Sequence, residues 1–227
     1  MSEEEPLPKP KPKTKPFGVQ FWLILAISIL ILACFAVFSN QGGYYRADRT
    51  EATSNARQIE LALLEFDTEY GSFPSEATAA VVTKNFPNHG YDLSGRSSNA
   101  LFRQLFAAEL TQSEGMFYAK VPGVRKPDGD IAPGKLLEKG EVGFAYVAGL
   151  SSEGNPARPI AFAPVIPGTK RFDPKPFQGK AVFLRIDNSV SSLPIGKDGR
   201  VLLNGIDILS AENPIWESKA PDIRYAE

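Results

Sequence analysis

Hydrophobic and polar positions divide the chain into three regimes. The first is residues 21–38, FWLILAISILILACFAVF, which carry no charge and have Ser28 as their only hydroxyl. At about 1.5 Å per residue such a run extends roughly 27 Å as a helix, close to the hydrocarbon thickness of a bilayer, so it predicts a membrane-spanning helix. The second regime runs from Tyr45 to Tyr70. Ala52, Ala56, Ile59, Leu63, Phe66 and Tyr70 recur at three- and four-residue spacings, which places them on one face of a helix. Arg49, Glu51, Arg57, Glu60 and Asp67 lie largely off that stripe, and Gly71 and Pro74 supply the stop. Between the two regimes, Gly42-Gly43 marks a weak point in any continuous helix, each glycine costing about 1 kcal/mol relative to alanine.

The third regime consists of shorter apolar segments. Residues 76–84 predict a short helix, and Ser97-Ser98-Asn99 offers N-caps for another. Leu101, Phe102, Leu105, Phe106 and Leu110 then form a helical apolar face that reads as core. Strands are predicted over 116–121, 143–148, 160–166, 181–186, 190–195 and 201–203. Asp187-Asn188-Ser189 and Lys197-Asp198-Gly199 provide turns between the later ones. Residues 122–140 are charged and rich in Pro and Gly, a long loop that reads first as a plain surface excursion, with a partner-contact segment as the alternative. Residues 207–227, with Trp216, predict an irregular tail laid across a sheet.

An antiparallel meander ordinarily buries one face and needs a cover. The Ile59, Leu63 and Phe66 stripe is the natural one. The predicted fold class is therefore α+β, a long N-terminal helix (membrane-spanning, then amphipathic) packed on an antiparallel meander. The domain division is residues 1–16 as a Pro/Lys-rich tail, 17–40 as the transmembrane helix, 41–74 as its exposed amphipathic half, and 75–227 as the globular part.

Composition narrows the function classes. The chain is 43% hydrophobic and 11% aromatic, enough for a real core, and its net charge of −1 gives no basic field for nucleic acid. Lys9, Lys11, Lys13 and Lys15 flank the apolar run on its N-terminal side, whereas Arg46 and Arg49 on the other side are mixed with Asp48 and Glu51. The positive-inside rule then puts the N-terminus in the cytoplasm and the globular part across a single-pass membrane. Ile31-Leu32-Ala33-Cys34 matches a lipobox, but the apolar run continues through Phe38, so a retained anchor is the better reading than lipidation at Cys34. No clear signal-peptidase site precedes Asn40.

Residues 46–74, RADRTEATSNARQIELALLEFDTEYGSFP, resemble the first helix of the major pseudopilin of type II secretion. The shared features are a basic-Ala-Asp-Arg start and an ending in an aromatic, a short polar step and Gly-x-aromatic-Pro. With the apolar run, the likeness covers residues 17–74. It implies a pilin-like fold and a bacterial inner-membrane location with a periplasmic domain. It also implies a role as a subunit of a type II secretion or type IV pilus-like assembly, with other pilin-like subunits and the bilayer as partners. The prepilin cleavage motif is not reproduced. Pro16 precedes Phe17, and Phe21 stands where the family has a glutamate; starting after Gly18 instead puts Leu23 there. The alternative reading is a stand-alone, membrane-tethered periplasmic binding module with pilin-like architecture.

The residues give little reason to expect catalysis. His89 is the single histidine and Cys34 the single cysteine, so no zinc set can form. No phosphate-binding loop, dinucleotide fingerprint or nucleophile elbow is present, and no small-molecule substrate or cofactor is evident. The resemblance implies calcium as the one metal to weigh. Asp173, Asp187, Asp198 and Asp207 lie in or beside candidate turns, but the family's ligand loop is not matched and no ligands are assigned.

Overall fold

The structure, a computed structural model, describes residues 18–227, apart from the side chains of Val19 and of residues 34–42. The expectations for the tail, for Phe17 and for the Cys34 side chain fall outside the described residues. The chain divides into two units at Gly42/Gly43.

Helix α1, Val19–Tyr70, is assigned without interruption through Gly42-Gly43, so the expected weak point is not a break in secondary structure. In the first unit the described side chains of residues 20–33 are all exposed, Trp22, Ile24, Leu30 and Leu32 each by more than 60%. Among the described residues, no helix is long and apolar enough to cross a membrane.

In the second unit, Gly43–Glu227, the predicted stripe is the buried one. Ala52, Ala56, Ile59 and Phe66 are fully enclosed and Leu63 nearly so. Gly71, at φ +74°, closes α1, its amide donating to the Asp67 carbonyl. Ser75 then caps α2, Glu76–Asn85, in a reciprocal box with Thr78. Ser97 caps α3, Ser98–Ala107, by accepting from the Ala100 amide. Buried Gln104 joins the two short helices, donating to the Ser75 carbonyl at 2.8 Å and accepting from the Thr78 hydroxyl at 2.7 Å.

The main sheet has five antiparallel strands in the order β4-β3-β2-β1-β7. These are β1 Ala145–Ala148, β2 Pro159–Ala163, β3 Lys180–Arg185 and β4 Val190–Pro194, with β7 Asp222–Arg224 added beside β1. The sequence-predicted hairpin at Asp187-Asn188-Ser189 links β3 and β4, with Asn188 left-handed at φ 64°. A small separate ribbon pairs β5, Leu202–Leu203, with β6, Ile206–Asp207.

Four expectations are corrected. Residues 116–121 do not form a strand; Glu114–Phe117 is a 3-10 turn, and the Phe117 carbonyl accepts from the Gly143 amide instead of a ladder partner. The strand predicted over 160–166 ends at Ala163, because Pro164 has no amide to donate. The C-terminal stretch is not wholly irregular: after a 3-10 turn at Pro214–Trp216 it contributes β7 to the sheet edge. Finally, the sheet is covered on both faces. Tyr146, Ala148, Ala161, Val182 and Leu184 pack with the α1 stripe and α3. Ala145, Val147, Phe162, Ala181 and Phe183 pack on Phe172, Val201, Ile208, Leu209 and Trp216. Near-continuous apolar strands such as Ala181–Leu184 require this double cover, since either face left open would expose a full row of side chains to water.

Candidate functional site: the 122–140 loop and its adjoining groove

The loop singled out from sequence is firmly organised. Its centre of attachment is Glu114, on the 3-10 turn and only 1% exposed. One carboxylate oxygen accepts from the Leu137 amide at 2.6 Å and the other from the Gly129 amide at 3.0 Å. Asn99, fully buried on α3, donates to the Leu137 and Glu138 carbonyls at 3.0 and 3.1 Å. One turn further along α3, the Arg103 guanidinium donates to the Leu136 and Leu137 carbonyls, both at 2.9 Å. Leu136 and Leu137 themselves are in the core. Buried Glu141 accepts from the Glu138 amide at 2.7 Å, and Arg125 bridges Glu138 and Glu141 at 2.7 and 3.1 Å. A loop with this many buried carboxylate and amide contacts to its backbone is a fixed platform, not a free excursion.

Burial pushes the Glu114 carboxyl above its usual range, and the neighbouring negative charge of Glu141 adds to the shift; the two amide donors act against it. The Arg125 hydrogen bond, with Lys135 beside it, draws Glu138 below its usual range.

Beside the platform lies a groove of about 430 Å³. Its lining includes Val121, Pro122 and Val124, Val142 to Ala145, and Val165, Ile166 and Pro167. Ile166 is 44% exposed there. Position 143 has room only for glycine, because the Ala119 backbone passes so close that a Cβ would come within 2.4 Å of the Ala119 oxygen.

The Gly-x-aromatic-Pro step is built into the core. Phe73 is buried and its amide donates to the Leu150 carbonyl at 3.0 Å, while the Pro74 carbonyl accepts from the buried Tyr146 hydroxyl at 2.9 Å. At the other end of this unit, Asp48 meets Lys120 at 3.1 Å, and Arg49 donates to the Phe177 carbonyl at 3.3 Å.

The four aspartates weighed for calcium act locally. Asp173, Asp187, Asp198 and Asp207 each accept a backbone amide two residues ahead. Asp198 and Asp207 also share Arg200, at 3.4 and 3.8 Å. Among the described residues, no three His, Cys, Asp or Glu side chains come together as a metal-holding group. His89 accepts from the Tyr91 amide through Nδ1 at 2.8 Å and stacks on that ring.

Sequence reasoning found the loop but missed its organisers. Glu114, Asn99 and Arg103 look like ordinary surface polar residues until folding brings chain positions 15 to 39 residues away against them. The available signal was polar residues set among the apolar positions of α3. No protein-family model, no curated protein and no solved structure matches this chain.

Proposed function

We propose that this chain is a membrane-anchored, pseudopilin-like subunit of a type II secretion or type IV pilus-like assembly, acting through protein–protein packing and without catalysis. The observation that carries the reading is the seating of α1. Its Ala52, Ala56, Ile59, Leu63 and Phe66 stripe lies in one core with the sheet, and the Gly71-to-Pro74 step that carries the resemblance is locked to Leu150 and Tyr146. The exposed apolar side chains of residues 20–33 give a second support, since a run of such side chains is stable against lipid rather than water. In this reading the globular part is periplasmic, and the 122–140 platform presents its rigid outer surface to neighbouring subunits.

The groove beside the platform favours a second reading, a tethered binding module that takes an apolar peptide segment against such lining residues as Val124 and Ile166. Crosslinking in native membranes separates the two. Crosslinks to pilin-like proteins support the subunit; a monomer retaining one discrete ligand supports the module. Mass spectrometry of the mature N-terminus bears on assembly. A chain beginning with methylated Phe17 supports a filament subunit, and a retained Met1 or Ser2 supports a fixed anchor whose pilin likeness is architectural.

A further inference from the structure

We infer that the end of the Gly43–Glu227 unit that carries Tyr44 and Tyr45 of α1 is a contact surface for phospholipid headgroups. The inference rests on the anchored reading above. Tyr44 and Tyr45 are 63% and 42% exposed, two adjacent large rings that the core does not use. Folding brings two lysines from distant parts of the chain to the same end. Lys120 is held by Asp48 at 3.1 Å with its side chain 57% exposed. Lys175 shares with Tyr45, Asp48, Lys120 and Pro122 a shallow cavity of about 270 Å³. The bond from Arg49 to the Phe177 carbonyl fixes the 175–177 segment against α1.

The chemistry of this set suits an interface between hydrocarbon and water. Tyrosine presents an apolar ring with a polar tip, and lysine lays its stem along apolar surface while its ammonium reaches outward. Four cations, Arg46, Arg49, Lys120 and Lys175, stand in this set against two carboxylates, Asp48 and Glu51, a positive excess for lipid phosphates. The set is also tethered closely to the apolar run: only five residues, 39–43, separate Phe38, its last residue, from Tyr44. A protein partner would meet the same tyrosines, but the short tether to the apolar run favours the bilayer.

The test uses the full chain with Cys34→Ser and one new cysteine, at Tyr45, Lys120, Lys175 or, as a reference, Glu69. Glu69 lies 24 helical residues, about 36 Å, beyond Tyr45. Each variant is labelled with an environment-sensitive fluorophore and reconstituted in phosphatidylcholine–phosphatidylglycerol vesicles containing a headgroup-nitroxide lipid. Quenching at 45, 120 and 175 is expected to exceed that at 69 by at least about twofold, given the separation of Tyr45 from Glu69 along α1. Equal quenching at all four positions in a chain that resists alkaline carbonate overturns the contact surface alone. A blue-shifted label that the nitroxide lipid does not quench also overturns it, because protein then covers the site. A chain stripped from the vesicles by carbonate overturns the anchored reading and this surface with it. Lys120 and Lys175 decide the matter without the Tyr45 variant, should that one fold poorly.

Discussion

Glu114 and Leu137 are joined by a 2.6 Å hydrogen bond from the Leu137 amide to a carboxylate oxygen, with both residues almost wholly excluded from water. This contact, with the companion bond from Gly129, makes the 122–140 segment part of the folded unit. Replacing Glu114 by alanine strands two backbone donors, at least one of them buried. The expected loss is about 2–4 kcal/mol, the range for removing a charged acceptor from such donors. Hydrogen exchange at the Leu137 and Gly129 amides should accelerate more than at amides of β2, which a uniform destabilisation would not produce.

The same carboxylate sets a pH dependence. Its folded-state affinity for a proton is raised by burial and by Glu141. The native state therefore binds more proton than the unfolded chain above the ordinary glutamate value of about 4.3. Its contribution to stability is fully present below that value and is lost as pH rises through the raised value. Denaturation midpoints of Glu114→Gln, measured from pH 4 to 7, should fall less steeply with pH than those of the native chain, even though the glutamine chain is less stable at its optimum.

Gly143 offers a steric test of the core. A methyl group there meets the Ala119 oxygen, nitrogen and Cβ at 2.4, 2.5 and 2.7 Å, two of them backbone atoms that cannot swing aside. Gly143→Ala should cost about 3 kcal/mol, the upper end of ordinary overpacking, and should lower the thermal midpoint of the globular unit by calorimetry.

Tyr146 connects the sheet to the end of α1 through its hydroxyl. Tyr146→Phe keeps the ring but leaves the Pro74 carbonyl without this buried donor. A loss of about 1–2 kcal/mol is expected in chemical denaturation, with the sheet's circular dichroism unchanged. Truncating Phe66 on the facing helix should cost more, about 3–5 kcal/mol, because it removes a whole fully buried ring.

Much of the local structure was readable along the chain. The stripe from Ala52 to Phe66, the Ser97 cap, and the Asp187-Asn188-Ser189 turn depend on near neighbours, so spacing and turn chemistry identify them. Residues 116–121 misled for a definite reason. Met116, Phe117, Tyr118 and Ala119 are buried, as in a strand, but the Phe117 carbonyl accepts from the Gly143 amide and the Tyr118 carbonyl from the Asn55 side chain. Burial pattern alone does not reveal where an amide finds its partner.

What the sequence determined by itself is whatever short-range sterics and periodicity decide: a helix start and stop, a hairpin, and the separation of an apolar run from an amphipathic one. Tertiary structure alone decided that Asp222–Arg224 pairs with β1, that the sheet is buried on both faces, and that Glu114, Asn99 and Arg103 bind one loop. Each of these joins residues distant in the chain, and their favourable energy exists only once the core has closed and water has left the groups that pair.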